Sequence, residues 1–441
     1  MKTAFARLLR GADIRFVRVV TCSIANVIRG KAAAVSVIDD VFRHGVGVTA
    51  ALPALPVMYD TVVEASGLGP AGEVRLMPDW DTFQLVPYAP GHAQVIGDVM
   101  KDGQPWALDP RYFLKRVLGE AGRAGYEVRT GYEVEFYLLD AGGRPVDDTV
   151  FAATLGMDVA HGVVGDIVSA LAAQDVIAQQ LYPEAGPGQF ELALAPADAL
   201  TTADRMVYAR QTLHAVARRA GFRAALLPKV LERAAGNGAH CHISLWRHGQ
   251  NITGAPGSAH GLSDEAAAFI AGVLDHLPAL AALTVASPNS YRRLQPRTWS
   301  GAFRAWGMDN REAAVRVPSN PDGGPPGHVE LKTSDASSNP YLALGAVIVC
   351  GLDGLRRELS LPEPVQRDPA FLSEAQRRAA GADPLPGTLE AALAALEADR
   401  VLTDALGPEL TQAYVAVKRF EWQALKDLPL EEEVALLMER Y

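Results

Sequence analysis

The chain has 441 residues, of which 49% are hydrophobic and 21% charged, a balance that excludes a disordered, collagenous or disulfide-stapled chain and leaves a large globular protein. Its 41 Lys and Arg stand against 51 Asp and Glu, a formal net charge of −10 that argues against nucleic acid as a partner. Three widely spaced cysteines, Cys22, Cys241 and Cys350, suit neither a disulfide framework nor a zinc cluster and point to a reducing cytoplasm.

In chain order, Ala4–Leu9 reads as a short helix closed at Gly11, and Ile14–Thr21 alternates like a strand. The Arg-rich start lacks the apolar core and small-residue cleavage site of a secretory leader. Up to Pro105 the chain is rich in Val, Thr, Gly and Pro, with strand-like pieces at Glu73–Met77 and Gln84–Tyr88, so residues 1–105 are expected to form a small β-rich domain. Residues 106–441 are expected to form a larger α+β domain. A helix is predicted over Pro110–Ala124 with proline near its start, another over Thr202–Ala220 stopping at Gly221, and a third from Ser263 with Asp264 and Glu265 in its first turn. Strands are predicted at Tyr132–Leu139, Gln189–Leu194, Ala224–Leu227, His240–Trp246 and His328–Thr333. The apolar run Leu342–Leu352 is too short to cross a bilayer and reads as a buried helix, so no membrane partner is expected. Pro318–Gly327, PSNPDGGPPG, reads as a mobile loop or a plain strand connection.

The chemistry-bearing residues come in strand-spaced pairs. In GYEVEFYLLD, alternation puts Glu133 and Glu135 on one face of a strand; in GNGAHCHISLW it does the same for His240 and His242. Taken alone, the first pair reads as a solvated strand face and the second as ordinary core or surface histidines. Glu184 and Glu191 in YPEAGPGQFEL and Glu330 in HVELKTSD extend the set. Carboxylates with a single imidazole are the hard donors that hold Mg²⁺ or Mn²⁺ beside a nucleotide, unlike the Cys/His sets of structural zinc. Arg292, Arg293, Arg311 and Arg316 cluster in NSYRRLQP and MDNREAAVRVP, either as a clamp for phosphate or carboxylate or as surface ion-pair partners. No Walker, kinase or GxGxxG loop is present to take a nucleotide.

In this order and spacing the motifs resemble the glutamine synthetase family over nearly the whole chain, most clearly from Gly131 to Leu355. The resemblance implies an α+β fold with a β-grasp-like first domain and a catalytic domain built on a curved antiparallel sheet flanked by helices. It implies ATP as co-substrate and two or more Mg²⁺ or Mn²⁺, one ion held by Glu135, Glu184 and Glu191 and the other by Glu133, His240 and Glu330. Arg311 and Arg316 would neutralise the transferring phosphoryl group. Arg293 would grip the α-carboxylate of glutamate beside Gly236, and His242, Ser244, His328 and Arg316 would lie on the nucleotide side. Asp60 in PVMYDTVVEAS is the candidate for the aspartate that deprotonates ammonium in a neighbouring subunit's site in the family, although a turn aspartate has the same appearance. A cytoplasmic homo-oligomeric ring of two stacked hexamers with shared active sites is also implied.

Departures from the family pattern bear on the substrate. Trp299 stands where the family has a flap glutamate that helps hold ammonium, and an indole offers an apolar wall and a π-face instead. Lys332 and His328 replace two arginines around Glu330, Ala235 replaces an asparagine of the glutamate loop, and Tyr182 and Pro183 replace two histidines before Glu184. Lys332 loses the planar two-point grip of an arginine. The expected activity is therefore ATP-dependent ligation of glutamate to a primary organic amine. The alternatives are glutamine synthesis from ammonium and a ring protein without catalysis.

Overall fold

The computed structural model describes residues 9, 11 and 13–441, so the expected helix over Ala4–Leu9 lies almost entirely outside the described residues. The first sheet comprises β1 (Phe16–Cys22), β2 (Ile28–Ala34), β3 (Val46–Thr49), β4 (Glu73–Leu85), β5 (His92–Lys101) and β6 (Gln104–Pro105), in the order β2-β1-β5-β4-β3 with β6 on β5. Only β1 and β5 run parallel. The two pieces expected at Glu73–Met77 and Gln84–Tyr88 are one long strand, β4, whose pairing with β5 shifts between Asp79 and Gln84. The irregularity breaks the alternation that makes a strand visible in sequence.

The second sheet comprises β7 (Glu127–Leu139), β8 (Ala178–Pro183), β9 (Gln189–Leu194), β10 (Ala197–Asp198), β11 (Arg223–Ala225), β12 (Ala239–Arg247), β13 (Gln250–Asn251), β14 (Phe303–Met308), β15 (Ala313–Val317) and β16 (Val329–Leu331). Its main path is β14-β15-β16-β12-β7-β9-β8, antiparallel except for the parallel pair β14 and β15. The fold is α+β, a small sheet unit followed by a large sheet flanked by helices.

Period-two alternation explains how this sheet serves two purposes. Val134, Phe136 and Leu138 of β7, Phe190 and Leu192 of β9, Cys241, Ile243 and Leu245 of β12, and Val329 and Leu331 of β16 all point into the main hydrophobic core. The residues between them, Glu133, Glu135, Gln189, Glu191, His240, His242 and Glu330, therefore share the opposite face. Behind the core face, the helix Asp264–Thr284 packs on the helix Pro340–Arg356. A Cβ on Gly272 would strike the backbone of Cys350 and Gly354, so the glycine is what allows these two axes to approach. Ser263 caps the first helix by accepting from the Ala266 N–H, and Asn339 caps the second by accepting from Tyr341 and Leu342. Asp198 caps Ala199–Arg219, which begins three residues before the predicted start because the cap lies beyond the apolar repeat. Among the described residues two helices match a bilayer span in length and hydropathy, and the share of their most apolar stretch buried inside the molecule is 83% for Asp264–Thr284 and 39% for Thr154–Ala172. All three cysteines are free and buried.

Candidate active site

Strand register lays the acidic and imidazole side chains out in rows. Arg316 of β15 pairs with Glu330 of β16, which pairs with His242 of β12. Two residues along, His240 pairs with Glu133 of β7, and two further, Glu135 pairs with Glu191 of β9, which pairs with Tyr182 of β8. Cross-strand neighbours on one face have Cβ atoms about 5 Å apart, so six strands converge on one polar patch.

His240 sits at its centre, 4% exposed. Its Nδ1 lies 3.6 Å from Glu133 Oε2 and 3.5 Å from Glu330 Oε1, and its Nε2 lies 3.6 Å from Glu135 Oε1. The donor atoms of Glu133, His240 and Glu330 fall within 4.8 Å of one another, as do those of Glu135, Glu191 and His240. Glu184 is outside both triads; its Oε2 accepts from the Ala185 N–H at 2.6 Å.

The electrostatics of this patch call for a cation. Burial pushes Glu184 up to about 7, aided by the charge of Glu135, and pushes Glu191 up to about 9, aided by Glu133 and Glu135. Glu133 is held below the ordinary carboxylate range: burial opposes ionisation, but His240 and His242 outweigh it. Glu330, wholly buried, is held down at about 2 against the burial cost by Lys332 and then His240. Its two oxygens meet Arg316 Nη1 at 2.7 Å and Lys332 Nζ at 3.4 Å. His240 Nδ1 and His242 Nε2 are buried facing carboxylates, His242 Nε2 at 3.1 Å from Glu133 Oε1, without a well-aligned hydrogen bond. Crowded carboxylates, raised pKa values and inward-facing imidazole nitrogens fit a divalent oxygen-seeking cation.

Further contacts build the rest of the site. Arg293, 4% exposed, places Nη2 3.2 Å from His240 Nε2 and donates Nη1 to the Ser334 carbonyl at 3.3 Å. Gly236 and Gly238 make room for it, since a Cβ on Gly236 would lie 2.6 Å from Arg293 Cγ and one on Gly238 2.8 Å from Arg293 Nη2. The Gly238 N–H donates to Glu135 Oε2 at 2.7 Å, and Gln189 Nε2 reaches the same oxygen at 3.4 Å. Neither residue was singled out from the sequence, although both lie inside motifs that were.

On the other side of Glu133 a cavity of about 610 Å³ is lined by Arg129, His242, Ser244, Trp246 and His328, among others. The rings of His242 and His328 lie 4.9 Å apart, and burial followed by the charge of His242 lowers His328 to about 4, so it is neutral at pH 7. Trp246 donates to Ser244 Oγ at 2.9 Å and carries the Arg129 guanidinium 3.7 Å over its ring. A larger cavity, about 840 Å³, lies between Val63 and the helix Pro408–Leu425; none of the clustered carboxylates lines it, and its size carries no catalytic argument.

Three residues stand apart from the cluster. Asp60 belongs to the first unit, is 80% exposed at its side chain, and pairs with Arg29 at 2.8 Å. Arg311 is exposed in the turn before β15. Trp299 is 51% exposed on the loop before β14, its N–H donating to Glu312 Oε1 at 3.0 Å. Phe151, which no sequence signal marks, bridges Trp299 and Tyr182, and Tyr182 donates to Glu191 Oε1 at 2.6 Å.

A two-unit fold with a carboxylate and histidine centre on a curved sheet defines a family, and comparison with known proteins identifies it. The family model described as glutamine synthetase, catalytic domain, matches residues 107–437, and that described as glutamine synthetase N-terminal domain matches residues 5–106. The chain belongs to the glutamine synthetase family and is a ligase that forms a C–N bond. Relatives include gamma-glutamylpolyamine synthetase GlnA3 of Streptomyces coelicolor, 37% identical over 437 residues that cover 97% of this chain and 93% of the relative. Glutamine synthetase of Methanocaldococcus jannaschii is 36% identical over 362 residues, 79% of each chain. Among solved structures, a novel glutamine synthase homolog gives a TM-score of 0.87 at 32% identity, covering 97% of this chain and 99% of the other. GmaS in complex with ADP gives 0.86 at 30% identity, covering 98% of both chains.

Proposed function

We propose that the chain is a γ-glutamyl–amine ligase, joining the γ-carboxylate of glutamate to a primary organic amine while ATP is cleaved to ADP and phosphate. The observation that carries this reading is Trp299. An exposed indole stands on the loop before β14 and is linked through Phe151 and Tyr182 to Glu191 of the carboxylate cluster. The relative named a gamma-glutamylpolyamine synthetase supports an organic amine as acceptor.

In the first step an oxygen of the γ-carboxylate attacks the γ-phosphorus, the bond from that phosphorus to the bridging oxygen breaks, and ADP leaves. In the second the amine nitrogen attacks the acyl carbon, loses a proton, and phosphate departs. Divalent ions, Mg²⁺ or Mn²⁺, held by Glu135, Glu184 and Glu191 and by Glu133, His240 and Glu330, would polarise the carboxylate and the γ-phosphate. Arg316, braced on Glu330, and Arg311 neutralise charge on the transferring group. Arg293, whose side chain Gly236 accommodates, anchors the α-carboxylate, with Lys332 beside it. His242, Ser244 and His328 face the nucleotide, for which the 610 Å³ cavity has the size.

Asp60, whose exposure leaves it open to a neighbour, takes the amine's proton in the site of an adjoining subunit of a ring of two hexamers, an assembly that rests on the family resemblance. The division between the units is placed at residues 105 and 106, and the enzyme is assigned to the cytoplasm. The test is ADP release with Mg²⁺ or Mn²⁺ across a grid of acids and amines. Activity with glutamate and an organic amine, and little with ammonium, is expected. Ammonium as the better acceptor would overturn the reading in favour of glutamine synthesis, and a silent grid would overturn it in favour of a ring without catalysis.

A further inference from the structure

Resting on that reading, we infer that Phe151 and Trp299 form an aromatic slot for the hydrocarbon chain of the amine, and that Glu312 is the residue that positions Trp299. The two rings meet nearly edge to face, centroids 6.3 Å apart at 79°, and Phe151 meets Tyr182 at 6.1 Å and 90°. Tyr182 in turn donates to Glu191, so an aromatic path leads from solvent to the carboxylate cluster. Phe151 is 48% exposed and Trp299 51%, an unusual amount of open aromatic surface to keep at a catalytic mouth unless something apolar covers it.

The loop is held for this purpose at a conformational cost. Arg297 and Trp299 have φ of 66° and 57°, the left-handed region that favours glycine. Glu312, 7% exposed, accepts the Trp299 N–H through Oε1, and its Oε2 has no partner. Asp368 and Lys332 lie within electrostatic reach of Glu312, and Asp368 itself accepts the Ala370 N–H at 2.8 Å. The two exposed rings offer apolar contact to the methylene groups of an amine. Ammonium and methylamine are too small to span two rings, whereas a four-carbon chain is not.

The experiment measures KM for ammonium, methylamine, n-butylamine and 1,4-diaminobutane, by ADP release with glutamate, in wild type, Phe151→Ala, Glu312→Ala and Glu312→Gln. KM is expected to fall by roughly 10-fold or more from methylamine to butylamine or diaminobutane, since each buried methylene strengthens binding about fourfold. Whichever four-carbon amine leads identifies the far end of the chain as apolar or charged. Phe151→Ala and Glu312→Ala should flatten this series with KM for ATP unchanged, and Glu312→Gln, whose amide oxygen can still accept the Trp299 N–H, should restore it. A flat series in wild type, or an unaltered gradient in Phe151→Ala, overturns the slot while leaving the ligase reading in place. If no amine supports turnover, the ligase reading fails instead. The slot then stands or falls on whether tryptophan fluorescence responds more strongly to butylamine than to methylamine in wild type and not in Trp299→Phe.

Discussion

Glu330 shows how a single side chain serves both chemistry and packing. It is wholly buried, with Arg316 and Lys332 on its oxygens and His240 alongside. Replacing it with glutamine keeps the volume but leaves the buried Lys332 and the partly buried Arg316 facing a neutral amide. Glu330→Gln should lower ADP release by on the order of 100-fold and weaken divalent-ion binding, read by calorimetric titration, while circular dichroism shows the fold intact. Full activity in that variant would remove Glu330 from the proposed ion site. Trp299→Glu should shift the acceptor preference toward ammonium by restoring a carboxylate at the mouth, measured as the ratio of kcat/KM for ammonium to that for butylamine. The carboxylates and histidines were legible through the ordered set of motifs that resembles the family, because the two-residue spacing of Glu133 with Glu135 and of His240 with His242 reads, taken alone, as a solvated face or ordinary histidines. Phe151 and Glu312 were not, since their importance lies in contacts with Trp299 that no local pattern encodes.

At the scale of elements, most strands and helices were legible from alternation and caps, and the shortfalls have local causes. β4 merged two predicted pieces across its irregularity, and β16 is shorter than predicted because only Val329–Leu331 finds a partner strand. The helices of the core face are joined by a buried histidine that sequence reading passed over. His276, on Asp264–Thr284, meets Asp353 of Pro340–Arg356 at 3.0 Å and Asp399, the cap of Arg400–Leu406, at 2.6 Å, with Arg356, Arg357 and Asp275 around Asp353. Burial opposes its charge, but Asp399 and Asp353 outweigh burial and raise its pKa above the ordinary 6.5. Its contribution to stability is therefore complete below about pH 6.5 and is lost as pH rises through the raised value. Melting temperature measured from pH 6 to 9 should fall with this titration, and His276→Asn should lose on the order of 1 kcal/mol at pH 6 and flatten the profile. An unchanged slope in the variant would assign the pH dependence elsewhere.

Over the whole molecule, a buried guanidinium ties the first sheet to a helix of the second unit. Arg111, 2% exposed on the helix Pro110–Arg123, pairs with Asp79 at 2.9 Å and Asp98 at 2.6 Å from the first sheet. It also reaches Asp204 of the helix Ala199–Arg219 through Nε at 2.9 Å and Nη2 at 2.7 Å, and Tyr341 donates to the same aspartate. Removing one partner of such a network strands buried charge, so Arg111→Ala should cost about 3–5 kcal/mol, read by denaturant titration, or split unfolding into two transitions in calorimetry. A loss under about 1 kcal/mol would show that this network adds little and that the other contacts between the units, such as Arg210 with Asn26, dock them.

The sequence by itself determined the family, the α+β class and the ordered acidic and histidine motifs, because these are properties of local alternation and of residue order. It could show that Glu133 and Glu135 share a face, but whether that face meets water or other carboxylates depends on which strand lies next to it. Only the tertiary structure decided that His240 stands between Glu133, Glu135 and Glu330, that Glu184 lies outside both triads, and that Phe151 bridges Trp299 to Tyr182. The physical reason is register: pairing between distant strands sets which side chains become neighbours, and with them the burial and repulsion that raise Glu184 and Glu191.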